Sequence, residues 1–408
     1  MNRPKTADQS LMREMNTSIV MDCVRLCAPL SRAELAARTG LTRSTVSLIV
    51  DDLIDRGLVQ ETSVRPDSKI GRPGKLLGFN PEGGCAVGVE IGVDFISVIL
   101  TNFIGQVLWR RKVVDVGEKR PITALQHAED IISEAVEYGK QLGLRPLGIG
   151  VGMPGLVDAR QGRLVFAPNL GWADVPLRQL WTQRFSLPVF VENEANCACQ
   201  GEYFYGAAHD VKDFIFLKTG VGLGGGIMVG GQLFRGASGY AGEIGHITIY
   251  ESDTPCACGR KGCWETFVRP SRLLKDIIAR LRGGEPSLLN ELAGGDLANI
   301  SVEQVAEAAC RGDALALGAL EDLGRHFGVG IANLINLFNP ELIVLGGSLN
   351  PVNPWLIPVI RSTLQVNVLP PLREIIRVEG STQGEDACLL GAVALVLDDI
   401  LREPRNAL

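Results

Sequence analysis

The sequence predicts an α/β protein built as two lobes behind a small winged helical head. Strands alternate with helical runs from Cys85 onward, which calls for sheets covered by helices. Two of these stretches look alike, each a strand, a Gly-bearing turn and a second strand, at 86–100 and at 214–229. The first 80 residues have another texture, with short helical patterns around a Gly turn and then a polar hairpin.

With 408 residues the chain should hold two or three domains, at about 150 residues each. No apolar run approaches the roughly 18 residues of a membrane span. The N-terminal MNRPKTADQS lacks the hydrophobic stretch of a secretory signal, so a cytoplasmic protein with no membrane partner is expected. Ten cysteines show no disulfide-framework spacing, and reduced thiols are expected. The net charge of −6 is unevenly spread. Residues 1–80 carry 12 Lys and Arg against 9 Asp and Glu, a surplus of +3, which leaves −9 on the remainder. A basic head on an acidic body points to nucleic acid as the partner of the head.

Within the head, Ile19, Val20, Cys23, Val24 and Cys27 fall at helical spacing and define a first helix over Asn16 to Cys27. Ser31 with Glu34 three residues on forms a capping box for a second helix that ends before Gly40. Thr42 caps a third helix running to about Arg56, whose buried stripe is Val46, Ile49, Val50 and Leu53. Small Ala36 and Gly40 let the second and third helices cross closely, which is helix-turn-helix spacing. Thr42, Arg43, Ser44, Thr45 and Ser47 then face outwards, where such helices meet base edges. Gly57-Leu58-Val59 begins a strand, and the stretch to Gly71-Arg72-Pro73-Gly74-Lys75 reads as a β-wing. Its Arg65, Lys69, Arg72 and Lys75 are placed to reach phosphates or a minor groove. A double-stranded DNA operator is the expected partner.

In the body, strands are expected at 86–90, 96–100, 106–108, 148–152, 189–192, 214–217, 226–229 and 342–345, and helices at 122–142, 302–310, 314–337 and 387–401. The second lobe is expected to start near Asn196 and the final helix to return to the first. The run YESDTPCACGRKGCWE from Tyr250 to Glu265, with Gly242-Glu243-Ile244-Gly245-His246 upstream, carries the sharpest chemistry. His246, Cys256, Cys258 and Cys263 supply one imidazole and three thiolates, the donor set a closed tetrahedral Zn²⁺ prefers. Gly259 and Gly262 provide the tight turns that fold Cys258 and Cys263 back on one ion.

The segment TGVGLGGGIMVGGQLFRGASGYAGEIGH at 219–246, together with CACGRKGCWE, resembles the repressor and sugar-kinase family called ROK. The resemblance covers nearly all of the chain from Gly84, and residues 1–80 resemble the winged helix of its xylose-repressor-like and glucose/N-acetylglucosamine-repressor branches. It implies the actin/hexokinase-like (ribonuclease H-like) fold, with residues 84–408 as a ROK domain divided into lobe one, about 84–195 plus 381–408, and lobe two, about 196–380. It also implies a sugar between the lobes, held by Asn169, Asn193, Glu194, Glu243, His246 and Glu265, with His246 serving zinc and ligand through one ring nitrogen each. Short, rigid carboxylates and amides suit hexose hydroxyls.

Kinases of that family open with Asp-x-Gly-x-Thr, which serves the metal and phosphates of ATP. Here the segment reads Glu90-Ile91-Gly92-Val93-Asp94, so a carboxylate stands where phosphate oxygens would sit. The position of the catalytic Asp is Glu194, one methylene longer, and about 1 Å of displacement costs a base roughly a hundredfold in rate. Phosphotransfer is not expected, and no catalytic residue is assigned. The glycine loops at 220–226 and at Gly346-Gly347 either cradle phosphate or merely allow tight hairpins. The expectation is a sugar-responsive transcriptional regulator, a repressor of carbohydrate-use genes acting as a homodimer or homotetramer. The alternative is an active sugar kinase carrying a regulatory head.

Overall fold

The computed structural model describes residues 9–64, 75–114 and 121–403. The head comprises α1 (Gln9–Cys27), β1 (Leu30–Ser31), α2 (Arg32–Thr39), α3 (Arg43–Asp55), β2 (Val59–Val64) and β3 (Lys75–Phe79), with sheet order β1-β3-β2. Helix starts are set by side chains. Ser31 Oγ accepts from the Glu34 N–H at 3.3 Å while the Ser31 N–H donates to the Glu34 carboxylate at 2.8 Å. Thr42 Oγ1 accepts from the Thr45 N–H at 3.2 Å. Each cap is worth about 1 kcal/mol. Gly40, at φ 70°, closes α2 in the left-handed region, and Val46, Ile49, Val50 and Leu53 are buried as the 3.6-residue period requires. The result is a winged helix-turn-helix. Arg65, Lys69 and Arg72 lie outside the described residues, whereas Lys75 pairs with Glu61 across the hairpin.

The body begins with the antiparallel β4 (Cys85–Ile91), β5 (Phe95–Asn102) and β6 (Val107–Val114), followed by α4 (Pro121–Gln141) and β7 (Pro146–Met153). A small sheet of β8 (Leu156–Asp158), β9 (Arg163–Ala167) and β10 (Trp172–Val175), with α5 (Leu177–Phe185), leads to β11 (Val189–Asn193) and α6 (Glu194–Tyr205). The second half repeats the plan with β12 (Phe214–Thr219), β13 (Leu223–Val229) and β14 (Gln232–Leu233). Helices α7 (Glu265–Val268), α8 (Pro270–Arg282), α9 (Leu289–Leu292), α10 (Val302–Cys310) and α11 (Ala314–Phe338) follow. The chain ends with β15 (Leu342–Gly347), α12 (Asn353–Asn367), α13 (Pro370–Arg373), β16 (Arg377–Gly380) and α14 (Ala387–Arg402).

The two large sheets are ordered β11-β7-β4-β5-β6 and β14-β13-β12-β15-β16. In each, three antiparallel strands are extended by two parallel ones, β7 and β11 in the first, β15 and β16 in the second. The hairpin similarity visible in the sequence is therefore a duplicated lobe. The expected helical runs appear as α4, α10, α11 and α14. The β8–β10 sheet, α5, α8 and α12 were not anticipated, because their short or mixed patterns carry no clean period. Among the described residues no helix is long and apolar enough to cross a membrane.

Residue 196 falls inside α6, and the strand that opens the second sheet starts at Phe214. Helix α6 is buried on every face from Ala195 to Phe204, being wedged between α14 and the strands β12 and β13. Helix α14 returns to the first sheet and lies on β4 and β7. The approach is close enough that a side chain at Gly150 would strike the Ala392 carbonyl, and one at Gly391 the Cys197 carbonyl. One buried apolar cluster runs unbroken from the head (Val20, Leu35, Val50, Leu77) through Phe103 into Phe204, Ala392 and Leu401. Phe79 of the head meets Phe103 of the body edge-to-face at 5.4 Å. The head is thus seated on the body through a shared core.

Candidate functional site

Between the lobes lies a cleft of about 690 Å³. Its floor is formed where the β4–β5 turn, Gly92 to Asp94, faces the β12–β13 turn, Gly220 to Gly222, one from each copy of the duplicated hairpin. Asn169, Asn193, Glu194, Glu243, His246 and Glu265 all line it. Six residues spread over nearly a hundred positions are brought together by the ends of β11 and β9 and the loop after β14, an arrangement typical of α/β clefts at strand C-termini.

Asn193 is held by its own fold. Its Oδ1 accepts from the N–H groups of Ala195 at 2.8 Å and Asn196 at 3.3 Å, capping α6, and its Nδ2 donates to the Gly155 carbonyl at 2.9 Å. That leaves one amide N–H to offer a ligand. Glu194, the first residue of α6, accepts from Lys218 Nζ through Oε2 at 2.8 Å, and Lys218 also donates to Glu90 Oε1 at 2.7 Å. Burial alone would push the Lys218 ammonium down. The Glu194 and Glu90 carboxylates together outweigh it and hold the group well above its ordinary value. Removing one partner from such a buried pair costs about 3–5 kcal/mol, because a charge is left unpaired. Lys218 escaped the sequence reading. Its only signal is a lone Lys closing the apolar run Phe214-Ile215-Phe216-Leu217 just before a glycine turn.

His246, Cys256, Cys258 and Cys263 present ligand atoms that all lie within 4.8 Å of one another. Cys258 Sγ stands 3.7 Å from Cys263 Sγ, and His246 Nδ1 stands 3.7 Å from Cys256 Sγ. A tetrahedral ion with Zn–S of about 2.3 Å would space its sulfurs about 3.8 Å apart, so donors and spacing fit Zn²⁺. Gly259 at φ 86° and Gly262 at φ 72° make the turns that bring Cys258 and Cys263 together. The imidazole faces two ways, Nδ1 toward Cys256 and Nε2 toward Glu243 Oε2 at 3.8 Å. Glu265 Oε1 accepts from Cys256 Sγ at 2.8 Å, joining the cluster to the cleft. Burial and that bond to Glu265 push the Cys256 thiol up, so a dication alongside is what would make it a thiolate.

On the head, Thr42, Arg43 and Ser44 are exposed, and Thr45 and Ser47 are half-buried. Thr42 is engaged as the helix cap, with Ser44 Oγ and Thr45 Oγ1 each 2.9 Å from its hydroxyl. Leu48, 70% exposed on the same helix, falls outside the buried stripe yet was not named among the outward residues, all of which are polar.

Fold and cleft together define a two-lobed sugar-kinase-like body carrying a DNA-binding head. The chain belongs to the ROK family, whose model matches residues 86–399, and a MarR family model matches residues 28–70 of the head. It is 34% identical to a putative xylose repressor from Caldicellulosiruptor sp. across 97% of this chain and 99% of that protein. A solved ROK family transcriptional regulator, a homolog of the E. coli MLC protein, superimposes with a TM-score of 0.83 at 29% identity, covering 97% of this chain and 99% of that one. A ROK family glucokinase from Streptomyces griseus, solved with glucose and AMPPNP, gives a TM-score of 0.68 at 33% identity but covers only 76% of this chain, against 99% of its own. The kinase likeness leaves about a quarter of this chain uncovered; the regulators match it from end to end.

Proposed function

We propose that this chain is a sugar-responsive, DNA-binding transcriptional repressor whose nucleotide chemistry has lapsed. The observation that carries it is the pairing of an interlobe cleft lined by Asn169, Asn193, Glu194, Glu243, His246 and Glu265 with a winged head whose core is continuous with the helices behind that cleft. In this reading Asn169, Asn193, Glu194, Glu243, His246 and Glu265 hold sugar hydroxyls. His246, Cys256, Cys258 and Cys263 hold one structural Zn²⁺, which fixes the loop presenting His246 and Glu265. Thr42, Arg43, Ser44, Thr45, Ser47 and Lys75, with Arg72, address the operator. Residues 1–80 act as the reading head, with the lobes dividing at about 84–195 plus 381–408 and about 196–380.

The reading extends to a two-fold homodimer that binds an inverted repeat, with the sugar shifting the balance between DNA-competent and incompetent forms by unequal affinity for the two. Phosphotransfer is disfavoured by Asp94 in the cleft and by Glu194, whose carboxylate is engaged by Lys218. The names of two relatives, the putative xylose repressor and an N-acetylglucosamine repressor from Escherichia coli at 29% identity, put xylose and N-acetylglucosamine first in a sugar panel. The deciding experiment is anisotropy titration of the DNA upstream of its own gene, with and without each sugar, beside a MgATP turnover assay. Sugar-dependent operator affinity without turnover supports the repressor. Turnover near the usual kinase range of about 1–100 s⁻¹ would return the chain to the kinases.

A further inference from the structure

Lys218 belongs neither to the zinc cluster nor to the expected sugar contacts, yet its side chain is only 17% exposed and is held at both sides. Glu90, 6% exposed, comes from β4 of the first sheet, Glu194 opens α6, and Lys218 ends β12 of the second sheet. One ammonium therefore ties the two lobes across the cleft floor. A second tie runs beside it, with Arg235 Nε donating to the buried Glu192 Oε2 at 2.9 Å, so the run from Glu192 to Glu194 is gripped twice from the second lobe.

Two carboxylates that converge within hydrogen-bond reach of one point repel each other unless a positive charge stands between them. Three species can supply that charge or remove the need for it: a shared proton, a divalent ion or a protein cation. Paired carboxylates in a solvent-connected cleft are the donor set that Mg²⁺ and Mn²⁺ favour. Here the ammonium already fills the place, at 2.7 Å and 2.8 Å from its partners.

We propose that Lys218 is the cleft's resident cation, a positioning residue that orients Glu90 and Glu194 toward a ligand without a divalent ion and that excludes such an ion from between them. The part played by Glu194 rests on the sugar-site reading above. The exclusion of the ion does not.

The test uses full-length, zinc-loaded protein and Mn²⁺ as probe, followed by electron paramagnetic resonance, because Mn²⁺ prefers carboxylate oxygens to thiolates. Lys218→Ala should gain a bound Mn²⁺ that wild type lacks, and the added Glu90→Gln substitution should remove it. Affinity for the best of D-xylose, D-glucose and N-acetyl-D-glucosamine should fall about tenfold in Lys218→Ala and recover with Mn²⁺, while wild type binds equally with and without the ion. A folded Lys218→Ala that takes up no more Mn²⁺ than wild type overturns the proposal, as does wild-type sugar binding that depends on Mn²⁺. If Lys218→Ala fails to fold, Lys218→Gln, which keeps an N–H donor one bond shorter and without the charge, is scored in the same way. Unchanged sugar affinity in Asn193→Ala and Glu243→Gln would instead remove the sugar-site reading and leave the Mn²⁺ result to decide the role of Lys218.

Discussion

One residue packed against the His/Cys loop contributes to the pH behaviour. The His326 ring packs against Tyr250 and Phe267, each at 5.4 Å, its buried Nδ1 makes no hydrogen bond, and its backbone carbonyl accepts from Trp264 Nε1 at 3.1 Å. Burial, with Arg272 nearby, holds this imidazole below its ordinary value. A histidine that is harder to protonate when folded contributes stability that is present above the unfolded value, about 6.5, and is lost as pH falls below it through the lower folded value. His326→Phe should therefore flatten the acid limb of the melting-temperature profile below about pH 6.5. An unchanged slope would place that sensitivity elsewhere. Cys258→Ser should cut bound zinc below one ion per chain in a chelator colour assay and weaken sugar in isothermal titration, leaving helix content of the head intact. Zinc retention at the wild-type level would dissociate Cys258 from the metal. The His/Cys cluster was legible because chemistry compresses it into eighteen residues, His246 to Cys263. Lys218 was not, since its meaning depends on Glu90, 128 positions away.

At the level of elements, α3 and α6 each join a cap to a proposed recognition surface. Thr42→Ala should cost the head about 1 kcal/mol, read as a lower denaturant midpoint, because the Thr45 N–H loses its acceptor. Arg43→Ala should leave that midpoint unchanged and weaken operator binding uniformly, with a shallower salt dependence, if Arg43 meets phosphate. Leu48→Ala should instead relax preference at one position of the operator by about 1 kcal/mol, since a 70%-exposed leucine on this helix suits a thymine methyl. A footprint identical to wild type would mark Leu48 as a bystander. Helix starts were readable because Ser31, Thr42 and Asn193 act within three residues of themselves. The β8–β10 sheet was not, because three- to five-residue strands are fixed by what they pack on and not by their own pattern.

For the whole molecule, the question is how a cleft speaks to a head. Helix α6 begins at Asn193 and Glu194 in the cleft and ends at Tyr203, Phe204 and Tyr205 beneath α1. There Arg25 of the head, 8% exposed, lays its guanidinium 4.9 Å from the Tyr203 ring and 4.5 Å from the Phe204 ring. A desolvated contact of this kind is worth about 2 kcal/mol, of the same order as a typical coupling energy of about 1–3 kcal/mol between two sites. Arg25→Gln should keep sugar affinity within about twofold while shrinking the sugar-induced change in operator affinity, followed by anisotropy. Full coupling in that variant would exclude this route. The duplicated lobe was visible in two hairpins, but the shared core between head and body was not, as no local pattern announces which surface a helix will rest on. That seat also governs how such a regulator can be re-engineered: a chimaera spliced at residue 80 with a foreign reading module keeps Tyr203 and Phe204 but loses α1 and Arg25, so a working biosensor graft has to carry an equivalent of Arg25 or resurface Tyr203 and Phe204 to suit the newcomer.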